Sequence, residues 1–289
     1  MKSRFFVLAS VVCICALIAI GQPNKRRSPS PSPTPASAWD DYEGVKWQKG
    51  NSVGVLGDIA QVKVPEGYVF ANANDTRLIM EANQNPTNGR ELGFVAPEKE
   101  TWFAVFEFDD VGYVKDDDKD SFDANALLDS IKAGTEAGNK ERVRRGWATM
   151  TIVGWEQPPH YNEITHNLEW AVKATSEGLP IVNHNTRMLG RGGVMEVTLV
   201  TDPSTLAETL PKFKTMLQGF EFKAGHRYAE FRAGDKTAAY GLTGLIVGGG
   251  AAALVKTGAL KWLWKALVAA GLAVSALVKK LFSRNRTAA

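Results

Sequence analysis

Between Ala238 and Val255 eighteen residues pass without a charge, reading AAYGLTGLIVGGGAAALV. As one helix they would extend about 27 Å, close to the hydrocarbon thickness of a bilayer. A segment of that length and polarity reads as a membrane span, the alternative of a glycine-rich surface loop being at odds with so unbroken an apolar run, so it limits the fold more firmly than any other stretch. It contains Gly244-Leu-Ile-Val-Gly248, and Ala252 continues the four-residue spacing. Small residues so spaced let two helix backbones approach closely in lipid, which makes Gly244, Gly248 and Ala252 the expected packing face and self-association the expected contact. A second apolar run follows Lys265, reaching back to Leu260 when Lys261 and Lys265 snorkel, and the segment closes at Phe282 before a basic tail, 283–289. The sequence predicts one crossing at Ala238–Val255 and then a helix on the inner face, because this keeps all seven downstream basic groups on the cytoplasmic side. Gly250-Ala-Ala-Ala-Leu-Val-Lys256-Thr257 imitates a phosphate loop, but Val255 stands where glycine must precede the lysine.

The formal charge of +3 conceals a partition. Twelve of the 34 basic groups lie in residues 1–38 and 238–289, which hold no acid, leaving 22 basic against 31 acidic groups between them. An acidic head lacks the basic footprint that phosphate binding requires, so nucleic acid is not an expected partner. Basic residues flanking apolar segments point instead to membrane lipid. Both cysteines, Cys13 and Cys15, lie in the amino-terminal apolar run, so the head has no thiol, disulfide or cysteine metal ligand.

Residues 1–21 have the basic start, apolar stretch and small-x-small end of a signal peptide or signal anchor. Residues 22–38, QPNKRRSPSPSPTPASA, read as a proline- and serine-rich linker. The expected location is a membrane, with the main domain, 39–237, outside the cytoplasm. Within it, Val53–Val64 reads as a strand pair or one long strand, closed by a turn at Pro65–Tyr68, and Asp75–Asn83 as a helix. Trp102–Phe108 reads as a strand with Trp102, Ala104, Phe106 and Phe108 on one face. A helix is predicted from Asp123 to Arg145, then a strand Thr151–Trp155, a loop Glu156–Tyr161, and strands at Ile164–Lys173, Ile181–Leu189 and Val194–Val200. A final helix is expected from a cap at Asp202 to Gly219, kinked or divided by Pro211, before a strand Phe220–Phe222. The reading is an α+β head with carboxy-terminal membrane segments.

Val64-Pro-Glu-Gly-Tyr68, Trp102 through Asp116, Val153-Gly-Trp-Glu-Gln-Pro-Pro-His-Tyr161, Thr186 through Val194 and Gly225-His-Arg-Tyr-Ala-Glu-Phe231 through Gly241 resemble a bacterial family of uncharacterised membrane-anchored proteins, domain of unknown function 2167. The resemblance covers nearly all the head and the tail. It implies an exported head with a membrane segment and supplies no activity. The order of elements also looks like the Mog1/PsbP-type α/β sandwich, a scaffold that implies a binding module only by analogy.

Asp116, Asp118 and Asp120 have the 1-3-5 spacing of a calcium loop, but Ser121 replaces its glycine and Leu127 its closing glutamate. Complementing the dipole of the following helix is the plainer role for this charge. Of the histidines, His166 and His184 alternate with apolar residues and read as core, and His226 as a turn residue, which leaves His160 in its proline-bounded loop as the catalytic candidate. No zinc-protease or serine-hydrolase motif accompanies it, and no cofactor is expected. Arg187, Arg191 and Arg227 read as partners of head carboxylates before anion ligands. Two functions follow: a non-enzymatic envelope module binding an envelope protein or ligand, or a membrane-bound hydrolase pairing His160 with a carboxylate of the acidic block, Asp109 or Asp110.

Overall fold

The computed structural model describes Trp39 and residues 42–247. They form an α+β fold built on an eight-stranded antiparallel sheet. The strands are β1 (Gln48–Lys49), β4 (Tyr68–Asn72), β5 (Glu91–Pro97), β6 (Phe103–Asp109), β7 (Met150–Asn162), β8 (Asn167–Ser176), β9 (Leu179–Leu189) and β10 (Val194–Thr201), in the order β1-β4-β5-β6-β10-β9-β8-β7. A smaller sheet, β11-β3-β2, joins β2 (Ser52–Leu56), β3 (Ala60–Val64) and β11 (Phe220–Phe222).

Alternation along each strand divides the large sheet into two buried faces. One carries Phe70, Val95, Ala104, Phe106, Val197 and Leu199, and packs on Leu56, Val62 and Val64 of the small sheet and on Phe213 and Met216 of α3 (Leu206–Leu217). Trp102 and Phe108 join it, as the alternation predicts. The opposite face takes α1 (Ala73–Ala82), whose Ile79 packs with Val69, Phe94 and Val105, and α2 (Ala124–Arg144), whose Leu127 packs with Ile152, Leu168 and Trp170. Asn72 and Asp123 cap α1 and α2, each accepting two backbone N–H bonds.

Several expectations are corrected. Glu156–Tyr161 is strand, not loop: β7 runs unbroken through Pro158 and Pro159, with three register shifts against β8. Proline lacks the N–H a central ladder needs, and β7 tolerates two because it is the edge strand. The strand expected from Ile164 begins at Asn167, because residues 163–166 form the turn and His166 adopts a positive φ of 52°. The last helix starts at Leu206 behind Thr205, while Asp202 caps the preceding turn through the Ser204 N–H and hydroxyl, and Pro211 stays inside one continuous helix.

The tail differs most. Ala238 donates its N–H to Tyr113 O, and the chain remains non-helical until α4, Leu242–Val247. Leu242, Leu245 and Ile246 are buried in the core formed with α2 and the sheet. The head therefore extends past residue 237, and the segment expected to span from Ala238 begins as part of it. Gly244 faces Tyr240, whose ring a Cβ at that position would overlap, so its smallness serves packing inside the head. Gly248 and Ala252 lie outside the described residues.

Asp118 fixes where α4 starts. Its carboxylate accepts from the Leu242 N–H at 2.9 Å and the Thr243 N–H at 3.1 Å. Burial alone would raise its pKa, but the hydrogen bonds from Thr243 and Leu242 outweigh this and hold it below the ordinary aspartate range. Asp118→Ala is expected to lower stability by about 1–2 kcal/mol, as for a lost helix cap. It should also accelerate amide exchange at Leu242 and Thr243 selectively. Unchanged exchange at those two amides would show that packing alone holds α4.

Candidate functional site

On the α3 face of the sheet, three neighbouring strands bring polar side chains together. Glu169 of β8 is the register partner of His160 on β7 and of Thr186 on β9, with His184 two residues along β9. Glu169 Oε2 lies 3.7 Å from His160 Nε2, 3.7 Å from His184 Nε2 and 3.1 Å from Lys214 Nζ of α3. Gln157 bonds His160 Nδ1 at 2.8 Å and fixes that ring from behind.

His184 is 1% exposed, with the Phe213 ring edge-on to it at 5.9 Å. Burial, helped by the charge of Lys214 and by His160 and opposed by Glu169, pushes its pKa down to about 4. The imidazole is therefore neutral at pH 7. Both its nitrogens, together with Glu169 Oε2 and Thr186 Oγ1, are buried without a hydrogen-bond partner. Of these, Glu169 Oε2 is met by the Lys214 ammonium, while the two ring nitrogens and the Thr186 hydroxyl are held in the protein interior next to it.

Beside this patch opens a cleft of about 620 Å³ between the end of α3, β11 and the turn linking β7 to β8. Glu169 and Met188 lie on its floor, Lys214 and Gln218 on the α3 wall, and His166 and Tyr228 opposite. The Tyr228 ring stacks on Tyr113 at 4.4 Å and lies 4.7 Å from His166, while its hydroxyl donates to Val114 O at 3.0 Å. That wall is rigid.

The residues singled out in the sequence have varied fates. His160 meets a carboxylate, but it is Glu169. The acidic block is elsewhere: Asp109 ends β6, four strand spacings or about 19 Å away, with its side chain on the other face. Asp116 accepts from the Tyr161 hydroxyl at 3.0 Å, Asp118 caps α4 and Asp120 is exposed, so the three carboxylates do not converge. Among the described residues no three His, Cys, Asp or Glu side chains are grouped to hold a metal ion. Arg187 reaches Glu196 at 3.4 Å over the Trp170 ring, and Arg191 forms a two-pronged pair with Asp235 at 2.7 and 2.8 Å. The Arg191 hydrogen bonds pull the Asp235 pKa down to about 2. Arg227 lies 4.0 Å from Glu230. Glu169, Lys214 and Thr186 were not distinguished by sequence; the one available signal was a glutamate set between Leu168 and Trp170, hence on the opposite face from them.

A family model described as "Protein of unknown function (DUF2167)" matches residues 48–279, well over half the chain. The chain belongs to this family. Among solved structures, this DUF2167 member is similar to cyanobacterial PsbP (CyanoP) from Synechocystis, at 10% identity and a TM-score of 0.35, over 68% of this chain and 98% of that one. It is also similar to PA94, a protein of unknown function from Pseudomonas aeruginosa, at 13% identity and a TM-score of 0.25, over 58% and 93%. No curated protein matches the sequence. The α+β assignment rests on the sheets and helices themselves.

Proposed function

We propose that this protein is a membrane-anchored module of the bacterial cell envelope that binds a partner through the cleft above Glu169 without transforming it. The observation that carries the reading is the cleft itself, a preformed concavity of about 620 Å³ whose lining sets the Glu169 carboxylate among Met188, Leu217, Phe220 and Phe222. Preformed concave sites with few, convergent polar groups are where ligands bind. The hydrolase alternative has the 3.7 Å contact between His160 and Glu169 in its favour. However, His160 stands outside the cleft wall.

The anchor follows from sequence arithmetic. With Leu242–Val247 committed to the head, only eight uncharged residues remain up to Val255, about 12 Å as a helix. The run Gly258–Val278 has 21 residues, about 31 Å, with Lys261 and Lys265 near its start able to snorkel and Trp262 and Trp264 beside them for the outer interface. A crossing there replaces the one expected at Ala238–Val255 and leaves Lys279, Lys280, Arg284 and Arg286 inside against Lys256, Lys261 and Lys265 at the outer side, a small bias in the positive-inside sense.

A photo-crosslinking amino acid at Gln218, exposed on the cleft wall, tests the binding reading in intact cells, with Leu78 on α1 as the control. A discrete adduct in the membrane fraction from position 218 and none from 78 is expected. Identical patterns from both positions would refute it.

A further inference from the structure

We propose that the cleft takes an extended peptide segment of a partner protein, added as a fourth strand to the small sheet at the open edge of β11. This deepens the binding reading above and rests on it.

Antiparallel strands bond through alternate residues, so the bonds on one side show which groups point to the other. Between β11 and β3, Lys63 donates its N–H to Gly219 O and Lys223 donates to Ile59 O, both at 2.9 Å. With Glu221 opposite Gln61, residues 219, 221 and 223 therefore face β3. Phe220 and Phe222 turn their N–H and C=O groups away from it. β11 is the last strand of its sheet, and among the described residues these groups have no hydrogen-bond partner. The side chains of Phe220 and Phe222 join the core, while that of Glu221 meets Gln61 on the outer face. All three residues nevertheless line the cleft, because it meets the strand edge-on.

A row of outward N–H and C=O groups is the complement of another extended backbone, which supplies an acceptor for each N–H and a donor for each C=O. An antiparallel segment sets one residue opposite Phe220 and another opposite Phe222, and bonds both. Facing residues in a ladder share a face, so those side chains join the phenylalanines. There they meet Met188 and Leu217, which line the cleft and pack with the same core. The segment therefore carries apolar side chains at every second position. The chain's own linker, 22–38, has no apolar side chain larger than proline. A second copy presents the same recessed edge, and two recessed edges cannot meet. Recession also explains how an open edge is tolerated, since the cleft wall keeps it from the indiscriminate pairing that exposed edges invite.

Full-length protein in a neutral detergent is titrated, by fluorescence anisotropy, into a fluorescein-labelled peptide, Ser-Val-Thr-Val-Thr-Val-Ser-amide. Saturable binding with a Kd below about 1 mM is expected. N-methylation of the central valine should weaken it about tenfold, because that amide bonds the edge. N-methylation of either threonine, whose amide points away, should change it less than about twofold. Leu217→Gln, with its urea midpoint measured alongside, should weaken binding at least about threefold through lost apolar contact. No saturable binding, equal losses from methylation at valine and threonine, or binding blind to Leu217→Gln overturns the proposal. Tighter binding after excision of residues 28–35 would place the chain's own linker in the cleft. Protein that is dimeric alone and monomeric with peptide would place a second copy there, and either result overturns the choice of occupant. Crosslinking at Gln218 alongside a peptide that fails the methylation test overturns strand addition alone. Peptide binding without a crosslinked partner overturns the partner reading and leaves the open edge standing as a peptide site.

Discussion

Phe213→Ala is expected to destabilise the protein by about 3–5 kcal/mol, enough to unfold a large fraction of a domain of ordinary stability. Phe213 is fully buried at the centre of α3 and is the aromatic anchor between that helix and the sheet. It also stands edge-on to His184, so its removal leaves a void beside an imidazole that already lacks hydrogen-bond partners. Water entering that void would solvate His184 and raise its pKa towards the free value. Two readouts are therefore linked: a lower urea midpoint, and loss of protection at α3 amides before the rest of the sheet. Thr215→Ala on the exposed side of the same helix should stay within about 0.5 kcal/mol. Equal effects of the two substitutions would mean that α3 does not depend on its buried face.

Helices and hairpins with local signals were legible. α2 has Asp123 as its cap and basic residues Arg142 and Arg144 in its last turn, and β9–β10 turns through Gly190-Arg-Gly-Gly193. β4 and β5 were not. β5 reads ELGFVAP, opening on an acid and containing glycine and proline, three residues that strands disfavour. Its neighbours explain each end. Glu91 is buried because it accepts from the Asn88 and Gly89 N–H groups at 2.7 and 3.0 Å. Gly93 is required because Phe70 and Leu56 pack directly on its Cα, where a side chain would overlap both. These are tertiary reasons, invisible to a window of sequence.

The site was hidden for a related reason. Glu169 lies within an apolar alternation, and its side of β8 reads as solvent until β9 and α3 are placed against it. His160 belongs to a segment whose prolines signal a loop, while the edge position that permits them is a property of the whole sheet. The tail shows the converse. Its apolar character was plain, but Leu242, Leu245 and Ile246 satisfy the same hydrophobic demand inside the head that lipid would satisfy outside it. Composition identifies burial without saying in what.

His184 should make stability fall steeply with acid. Its pKa is about 4 in the folded protein against an ordinary histidine value of 6.5, a difference caused first by burial. A group whose folded pKa is depressed binds its proton more readily in the unfolded state. Stability is therefore full above about pH 6.5, declines as pH drops below it, and levels off below about pH 4. The difference corresponds to about 3 kcal/mol at the acid limit. The groups facing the ring are Glu169 of β8, His160 of β7 and Lys214 of α3. Glu169 favours the imidazolium and the other two oppose it, so burial decides the direction. Carboxylates elsewhere also titrate in this range, and the measurement must subtract them. Urea midpoints of wild type and His184→Gln are compared at pH 7.0, 5.5 and 4.0. Wild type should lose about 3 kcal/mol more than the variant across that interval, because glutamine fills the same space without titrating. Parallel pH curves for the two proteins would mean that His184 protonates in place, and that its surroundings are wetter than its burial implies.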